Sequence, residues 1–385
     1  MANDKSSPQS PLPRPIILQV FDNLEDPRKK SINFRHPLTT ILFITVVCSL
    51  CGSNDWETIV IQANAMKEWL GGFVDLSNGV PCVRTFIRVF NVFHPDSLNK
   101  VLLTVAKSLG GKVESEIISF DGKTMRGTAS SEKGLKAVHM LNAWSHERGI
   151  CIGHMKVDDK SNEIPAVPQL MELLDLKGTI ITADAMNTQK KTAAKAIELG
   201  ADYVLPVKEN QAGLLEEVEL LFKEAQDRKF QGIDADDFQT AEKGHGRVEV
   251  RTYISMDASE LPSTEEWLGL KSVGKITRER TLKGKTSTET QYYISSCEID
   301  AKLLEKVTRG HWGIENSLHL VLDVTFREDH SRYRDRIGTQ NLATIRKLAH
   351  TALAKEHTLK CGKSGKRLAA ATDPVYRAKL LKLFF

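Results

Sequence analysis

A chain of 385 residues can bury a sizeable core and divide into two or three domains. Its residues, 41% hydrophobic and 26% charged, are those of a soluble globular protein, and a net charge of +4 is too small to argue for a nucleic-acid partner by itself. Six scattered cysteines with no secretory leader exclude a disulfide scaffold and fit a reducing cytoplasm.

The Pro- and Ser-rich start, residues 1–15, predicts a disordered segment. Ile16–Asn23 has helical spacing and is broken by Asp26-Pro27-Arg28, where Arg28, Lys29 and Lys30 form a small basic cluster. Arg35-His36-Pro37 leads into an apolar helix over Leu38–Cys51. Cys48 and Cys51 have redox or zinc spacing, but no second Cys/His pair accompanies them and their apolar surroundings predict a buried structural role. The same run is too short to span a bilayer, which needs about 20 apolar residues. Trp56–Leu70, Pro81–Phe93 and Asp96–Leu109 read as further amphipathic helices. Residues 16–110 therefore read as a small all-helical domain, serving either to dock on DNA phosphates or to pack and dimerise.

The middle of the chain alternates strands with helices, and residues 111–233 read as the first part of an α/β catalytic core. The apolar run Ile117–Phe120 delivers Asp121 at its end, with a turn expected at Gly122 and with Lys123, Thr124 and Arg126 following. Ala137–Ser145 and Cys151–Val157 are two more strands joined at Glu147-Arg148-Gly149. A helix over Ile164–Leu176 follows, capped near Ser161-Asn162 and closed by Gly178. A strand from Thr179 ends at Asp184, and Thr188 is placed to cap the helix Gln189–Leu199. Strand Ala201–Val207 and helix Gln211–Gln226 complete the series. Three strands in a meander, then helix, strand, helix, strand is the order of a ribonuclease H-like core; a Rossmann reading fails because no Gly-rich turn joins the first strand to a helix.

Residues 234–299 change period. Arg247–Ile254 alternates strictly, as do Gly269–Arg278 and Thr288–Ser295, with turns at Gly244-His245-Gly246 and Lys283-Gly284-Lys285. This is a β-rich insertion, preceded by an acidic patch over Glu216, Glu217, Glu219, Glu224, Asp227, Asp234, Asp236 and Asp237. Residues 300–355 hold a helix from Leu303 to Asp323 and a second over Arg336–Lys355. Gly310 and Gly313, close to Glu315, predict the near approach of another backbone. Residues 356–385 are a basic tail: from Lys355 on, a surplus of six positive charges falls within 31 residues, for solvation or for phosphate binding.

Phosphodiester cleavage requires an activated water or 3′-hydroxyl, a stabilised leaving oxygen and neutralised phosphorane charge, which two Mg²⁺ ions supply together. Mg²⁺ takes carboxylate oxygens and keeps several waters, so few protein ligands suffice. Asp121, Asp184 and Glu315 can provide them and are the candidate catalytic and metal-binding residues, with Mn²⁺ able to substitute. Each has a simpler reading: Asp121 in an Asp-Gly turn, Asp184 as a helix N-cap, Glu315 as an exposed helix acid, although Trp312 and Ile314 predict a buried context for the last. His311, Glu315, His319 and Asp323 recur every four residues and offer a competing zinc stripe, without the His-Glu-x-x-His spacing of zinc hydrolases. His154, His245 and His311 are weaker candidates for general bases. Lys123, Arg126, Lys208, Arg247, Arg251 and Arg334 are candidate DNA contacts, with Arg327, Arg332 and Arg336 as further cations.

At these motifs the sequence resembles the H-repeat-associated insertion-sequence transposases, a bacterial group of Asp-Asp-Glu transposases. The resemblance runs through Asp26-Pro27-Arg28, Arg35-His36-Pro37-Leu38, Asn78-Gly79-Val80-Pro81, Asp121-Gly122-Lys123 with Arg126-Gly127, and Ala183-Asp184-Ala185 with Thr188-Gln189. It continues through Lys208-Glu209-Asn210-Gln211, Gly244-His245-Gly246-Arg247, His311-Trp312-Gly313-Ile314-Glu315-Asn316, and Leu322-Asp323-Val324-Thr325-Phe326 with Glu328-Asp329. It implies a ribonuclease H-like core with a β-strand insertion before the glutamate helix, and Mg²⁺-dependent cleavage and strand transfer at the terminal repeats of a mobile element. Asp121, Asp184 and Glu315 match the triad. Wider relatives carry Tyr-x2-Arg-x3-Glu-x6-Lys around the glutamate; here Thr308, His311 and Leu322 stand at the Tyr, Arg and Lys positions. The implied partners are double-stranded DNA and a second copy of the chain, in the bacterial cytoplasm at the nucleoid. A related nuclease that cuts without joining, and a DNA-binding remnant that does neither, are the alternatives.

Overall fold

A computed structural model describes residues 14–29, 34–110, 113–158, 161–244 and 246–382. Residues 1–13 of the disordered start expected over 1–15, Lys30 of the basic cluster, and His245 of the expected turn lie outside the described residues. The chain divides into two compact units, one of residues 1–110, 125–138 and 321–385, the other of residues 111–124 and 139–320. No described helix is long and apolar enough to cross a membrane.

The first unit begins with α1 (Ile16–Asp22), α2 (Leu38–Leu50), α3 (Trp56–Ala65), α4 (Lys67–Gly71), α5 (Val83–Val92) and α6 (Pro95–Ser108). The single helix expected over Trp56–Leu70 is two, because the chain leaves helical geometry at Met66. Asp55 starts α3 with a reciprocal cap: its carboxylate accepts from the Thr58 amide at 2.8 Å, and its own amide faces the Thr58 hydroxyl at 3.4 Å. α2 is buried on nearly every face, so its sequence is apolar all round rather than striped. The Cys48 and Cys51 thiols lie inside this core, and burial pushes Cys51 up to about 11, which suits the structural role expected of them.

The second unit is built on a nine-stranded sheet of order β3-β2-β1-β4-β5-β9-β8-β7-β6. Its core strands are β1 (Ile117–Met125), β2 (Val138–Ser145) and β3 (Ile150–Lys156), then β4 (Ile180–Ala183) and β5 (Asp202–Val207). β2 pairs antiparallel with β3, while β1, β4 and β5 run parallel, with α7 (Glu163–Glu172) and α8 (Lys190–Glu198) as crossovers. This is the ribonuclease H-like order. The turn expected at Gly122 is absent, since β1 continues through Asp121 and Gly122 to Met125. Asn162 caps α7 by accepting from the Ile164 amide at 3.1 Å. Thr188 does not cap α8; its hydroxyl is spent on the Pro206 carbonyl at 2.6 Å, and Gln189 holds the cap position without a side-chain bond.

After α9 (Ala212–Asp227) the insertion adds β6 (Ala235–Gly244), β7 (Arg247–Asp257), β8 (Ser272–Leu282) and β9 (Lys285–Ser295). β9 pairs with β5, so the insertion extends the core sheet. β6 falls where the sequence showed only acids: it is an exposed edge strand with no apolar alternation to betray it. Lys283 and Gly284 both take positive φ, 50° and 75°, which gives the two-residue hairpin its right-handed twist.

α10 (Ala301–Ile314) follows, capped by the Asp300 carboxylate and tied to β6 by the bond from the Ala301 amide to Asp236. One π-helical turn over Glu315–His319 interrupts it before α11 (Leu320–Val324). α12 (Arg336–Lys355) returns to the first unit, buries most of its length and packs on α2, α5 and α6. The basic stretch after it is no open tail. It forms α13 (Lys363–Thr372) and α14 (Pro374–Lys382), with Lys366, Arg367 and Arg377 buried.

Candidate active site

The site grows from strand register. Ile117, Ile118 and Phe120 are fully buried and pair residue for residue with β4, up to Phe120 opposite Ala183. Asp121 and Asp184 are therefore the next residues of two adjacent parallel strands, at the carboxyl edge where open α/β sheets present their sites. Glu315 comes from the start of the π turn, the kind of helix irregularity that re-aims a side chain at functional positions.

One oxygen each of Asp121 and Glu315 and a ring nitrogen of His319 all lie within 4.8 Å of one another. His319 Nδ1 is 3.5 Å from Asp121 Oδ2 and 3.5 Å from Glu315 Oε1. Asp184 stands outside this group of three, with its Oδ1 accepting from the Asn187 amide at 3.1 Å and from Asn187 Nδ2 at 2.6 Å. The simpler reading of Asp184 as a cap thus holds too, for the short turn Ala185–Asn187 rather than for α8.

Electrostatics follow from the crowding. Burial first, then the hydrogen bond and charge of Glu315, push the Asp121 carboxyl up to about 8. The hydrogen bond with His319 pulls Glu315 the other way. The pair keeps a proton at neutral pH. Burial, and then the charge of Glu163, also raise Asp184, against the hydrogen bonds from Asn187.

His319 has a fixed tautomer. Asn142 Nδ2 faces the Met140 carbonyl at 3.2 Å and the Asp121 carbonyl at 3.5 Å, which orients the amide, and the same nitrogen is 3.2 Å from His319 Nε2. The ring accepts there, so Nδ1 carries its hydrogen toward the two carboxylates. His311, which burial lowers to about 4, is not in the group, so the four-residue stripe does not close on one ion; Glu315 and His319 meet Asp121 instead.

Several expectations about neighbouring residues change. Glu315 is exposed, as is Trp312 at 62%, and only Ile314 is buried. Gly310 and Gly313 accommodate side chains rather than a backbone: a Cβ on Gly313 would lie 3.1 Å from His146 Nδ1 and 3.5 Å from Trp144 Nε1. Lys123, a candidate DNA contact, is buried on β1 at 6% exposure and faces away from solvent. Lys208 is exposed just after β5 and its charge acts on Asp184. Arg247 and Arg251 reach Glu249, which is 2% exposed and also takes Arg278, bonded at 3.0 and 3.2 Å. With Arg309, Trp312 and Asn316 these arginines line a cleft of about 570 Å³ beside the glutamate helix. In the first unit Arg126 is exposed, 3.6 Å from Asp329, and Arg334 donates to the Ala129 carbonyl at 3.1 Å.

Glu163, His139 and Asn187 carry no motif that marks them in the sequence, and His319 stands out there only as part of the zinc stripe. Glu163 is 7% exposed; it meets His139 Nε2 at 2.6 Å and accepts from Asn187 Nδ2 at 3.0 Å. The available signal was the acid directly after the Asn162 cap, a place where a first-turn glutamate is ordinary and so passes unnoticed.

Parallel strands that present acids at their carboxyl edge, met by a glutamate from a late helix, define a ribonuclease H-like fold. Residues 113–352 match the family model for the transposase DDE domain, and residues 18–105 match the model described as DDE_Tnp_1-associated. YncI of Escherichia coli O157:H7, named a candidate transposase, is 37% identical over 370 residues, covering 95% of this chain and 94% of its own. The H repeat-associated candidate transposase YhhI of Escherichia coli K12 is 32% identical over 352 residues, covering 90% and 92%. A solved piggyBac transposase synaptic complex with hairpin DNA overlaps 95% of this chain and 81% of its own at a TM-score of 0.45 and 11% identity. The chain belongs to the DDE transposase family, among its H-repeat-associated members.

Proposed function

We propose that this chain is a DNA transposase that cleaves the ends of a mobile element and transfers the freed 3′-hydroxyl into target DNA. The observation that carries the reading is the register that sets Asp121 and Asp184 side by side while the π turn brings Glu315 to Asp121. The donor set fits a hard divalent cation: two carboxylates share one proton for want of a positive charge between them, beside the His319 ring and the Gly122 amide. Asp121, Asp184 and Glu315 would hold Mg²⁺, or Mn²⁺ in its place. Bound there, the metal supplies the neutralisation of phosphorane charge and the nucleophile activation that phosphodiester cleavage needs.

The chain's own residues do the rest. Asp121 gives up its shared proton on loading. His319 Nδ1–H holds the Asp121 and Glu315 oxygens in one orientation, and Asn142 fixes the ring. Exposed Lys208 and Arg126 are offered to DNA phosphates, whereas Arg247 and Arg251 would have to exchange Glu249 for a phosphate first. Arg334 spends its Nε on Ala129 and has its terminal N–H groups to offer a phosphate. Two element ends must be held together for joining, so a dimer on double-stranded DNA is the working assembly, at the nucleoid of a bacterial cytoplasm.

The test is an assay on DNA carrying the sequences that flank the gene, with Mg²⁺, Mn²⁺ or EDTA. Nicking and joining that need the metal, and that Glu315→Gln reduces about 1000-fold, are expected from the several kcal/mol a metal clamp supplies. Cutting without joining would make the protein a nuclease, and metal-independent binding without cutting would make it an inactive remnant.

A further inference from the structure

A hydrogen-bonded relay crosses the site beneath the acids. It starts at Thr124 on β1, whose hydroxyl is 2.8 Å from His139 Nδ1. His139 Nε2 meets Glu163 Oε1 at 2.6 Å. Glu163 Oε2 accepts from Asn187 Nδ2 at 3.0 Å, and that nitrogen also donates to Asp184 Oδ1 at 2.6 Å. One end of the relay is thus the strand that carries Asp121, and the other is the Asp184 carboxylate itself. The Glu163 carboxylate is the only member bonded toward both ends through separate oxygens.

The backbone is fitted to this carboxylate. A Cβ on Gly122 would lie 2.0 Å from Glu163 Oε1 and 2.5 Å from His139 Nε2. Gly122 has no positive φ among the described residues, so its bareness serves this contact and not a turn. Burial opposes charge on Glu163, but the hydrogen bonds from His139 and Asn187 outweigh it and hold the group below the usual glutamate range.

We infer that Glu163 is the positioning residue of the metal site: through Asn187 it orients the Asp184 carboxylate, and through His139 and the Gly122 contact it fixes the end of β1 that carries Asp121. Its two oxygens are bonded separately, one to His139 and one to Asn187, so it acts through those partners. This rests on the transposase reading only in taking Asp121 and Asp184 as ligands. Outer carboxylates that orient ligands affect metal affinity by about 10–100-fold.

The experiment is calorimetric titration of the full-length, DNA-free protein with Mn²⁺, beside the Mg²⁺ dependence of end cleavage. Glu163→Ala should weaken Mn²⁺ binding by about 10–100-fold and raise the Mg²⁺ needed for half-maximal cleavage by the same factor, at an unchanged rate when metal saturates. Glu163→Gln, whose amide can accept from Asn187 and donate to His139, should recover most of that loss. Gly122→Ala deletes no polar group and should reproduce the loss by displacing the carboxylate; combined with Glu163→Ala it should add little. Wild-type affinity in Glu163→Ala, or in Gly122→Ala if the first variant does not fold, would overturn the assignment. So would a Glu163→Gln as weak as Glu163→Ala, which would make the residue's charge and not its hydrogen bonds the cause. Wild-type protein that binds Mn²⁺ without cutting DNA would sink the transposase reading and leave this one standing; wild-type protein that binds no Mn²⁺ would end this one.

Discussion

Asp121 holds a proton at neutral pH because of where the fold puts it. In an unfolded chain it would ionise near 3.8, whereas burial and Glu315 push it up to about 8. The folded state therefore binds more protons than the unfolded state between those values, and stability falls as pH rises across the window. The contribution is complete below about pH 4 and is lost as pH passes about 8. Metal-free protein should melt at a lower temperature at pH 9 than at pH 6, and Asp121→Asn should flatten that dependence and melt higher than wild type at pH 9. Thermal melts in EDTA check this; equal slopes for the two proteins would mean that Asp121 is ionised throughout. Saturating Mn²⁺ should reverse the trend for wild type only.

Elements decide how Glu315 reaches the strand acids. α10 lies against β8 through Gly274, where a Cβ would come 2.7 Å from Leu304 Cδ2 and 3.0 Å from Cδ1. Gly274→Ala must displace the Leu304 side chain or shift the strand against the glutamate helix. It should cost about 1–3 kcal/mol by urea unfolding, the usual range for overpacking a filled core. Because Leu304 and Glu315 ride on one continuous helix, about three turns apart, the same variant should weaken Mn²⁺ binding, whereas a cavity variant such as Leu304→Ala should lower stability without pushing the helix. The π turn was invisible beforehand because its residues, Glu315–His319, have ordinary helical composition. It is held by the tertiary bonds of His319 to Asn142 and the carboxylates, not by local preference.

At the scale of the whole molecule, the fate of the basic C-terminal stretch separates charge from function. Arg367 donates to the carbonyls of Ser49 at 3.0 Å and Ser53 at 3.1 Å, as well as to Thr325, and lies 4.4 Å over the Phe326 ring. Arg377 donates to Ala370 at 2.8 Å and covers the Trp69 ring at 4.6 Å. These cations add charged donors to buried carbonyls at and beyond the ends of α2 and α13. Arg367→Ala should lower stability by roughly 2–4 kcal/mol in denaturant melts, from orphaned carbonyls and lost packing, and leave the salt dependence of DNA binding alone. A reduced salt slope in a folded Arg367→Ala protein would return the stretch to the DNA interface.

The sequence by itself determined the ribonuclease H-like order of strands and helices, the β-rich block after it and the helices of the start, and it singled out three acids as candidates. Each of these is written in a local signal: period, a capping or turn residue, or an apolar run that ends in a carboxylate. Tertiary structure alone decided what those acids are set among. Glu163 and His139 are ordinary in sequence and become part of the site because a helix start and a second strand converge on Gly122. Lys123, Arg367 and Arg377 look like surface cations and are buried. Edge strand β6 has no apolar face to announce it and is fixed by pairing with β7 along its whole length. Pairing, burial and the sharing of a proton between carboxylates depend on residues far apart in the chain, so no window of sequence contains them.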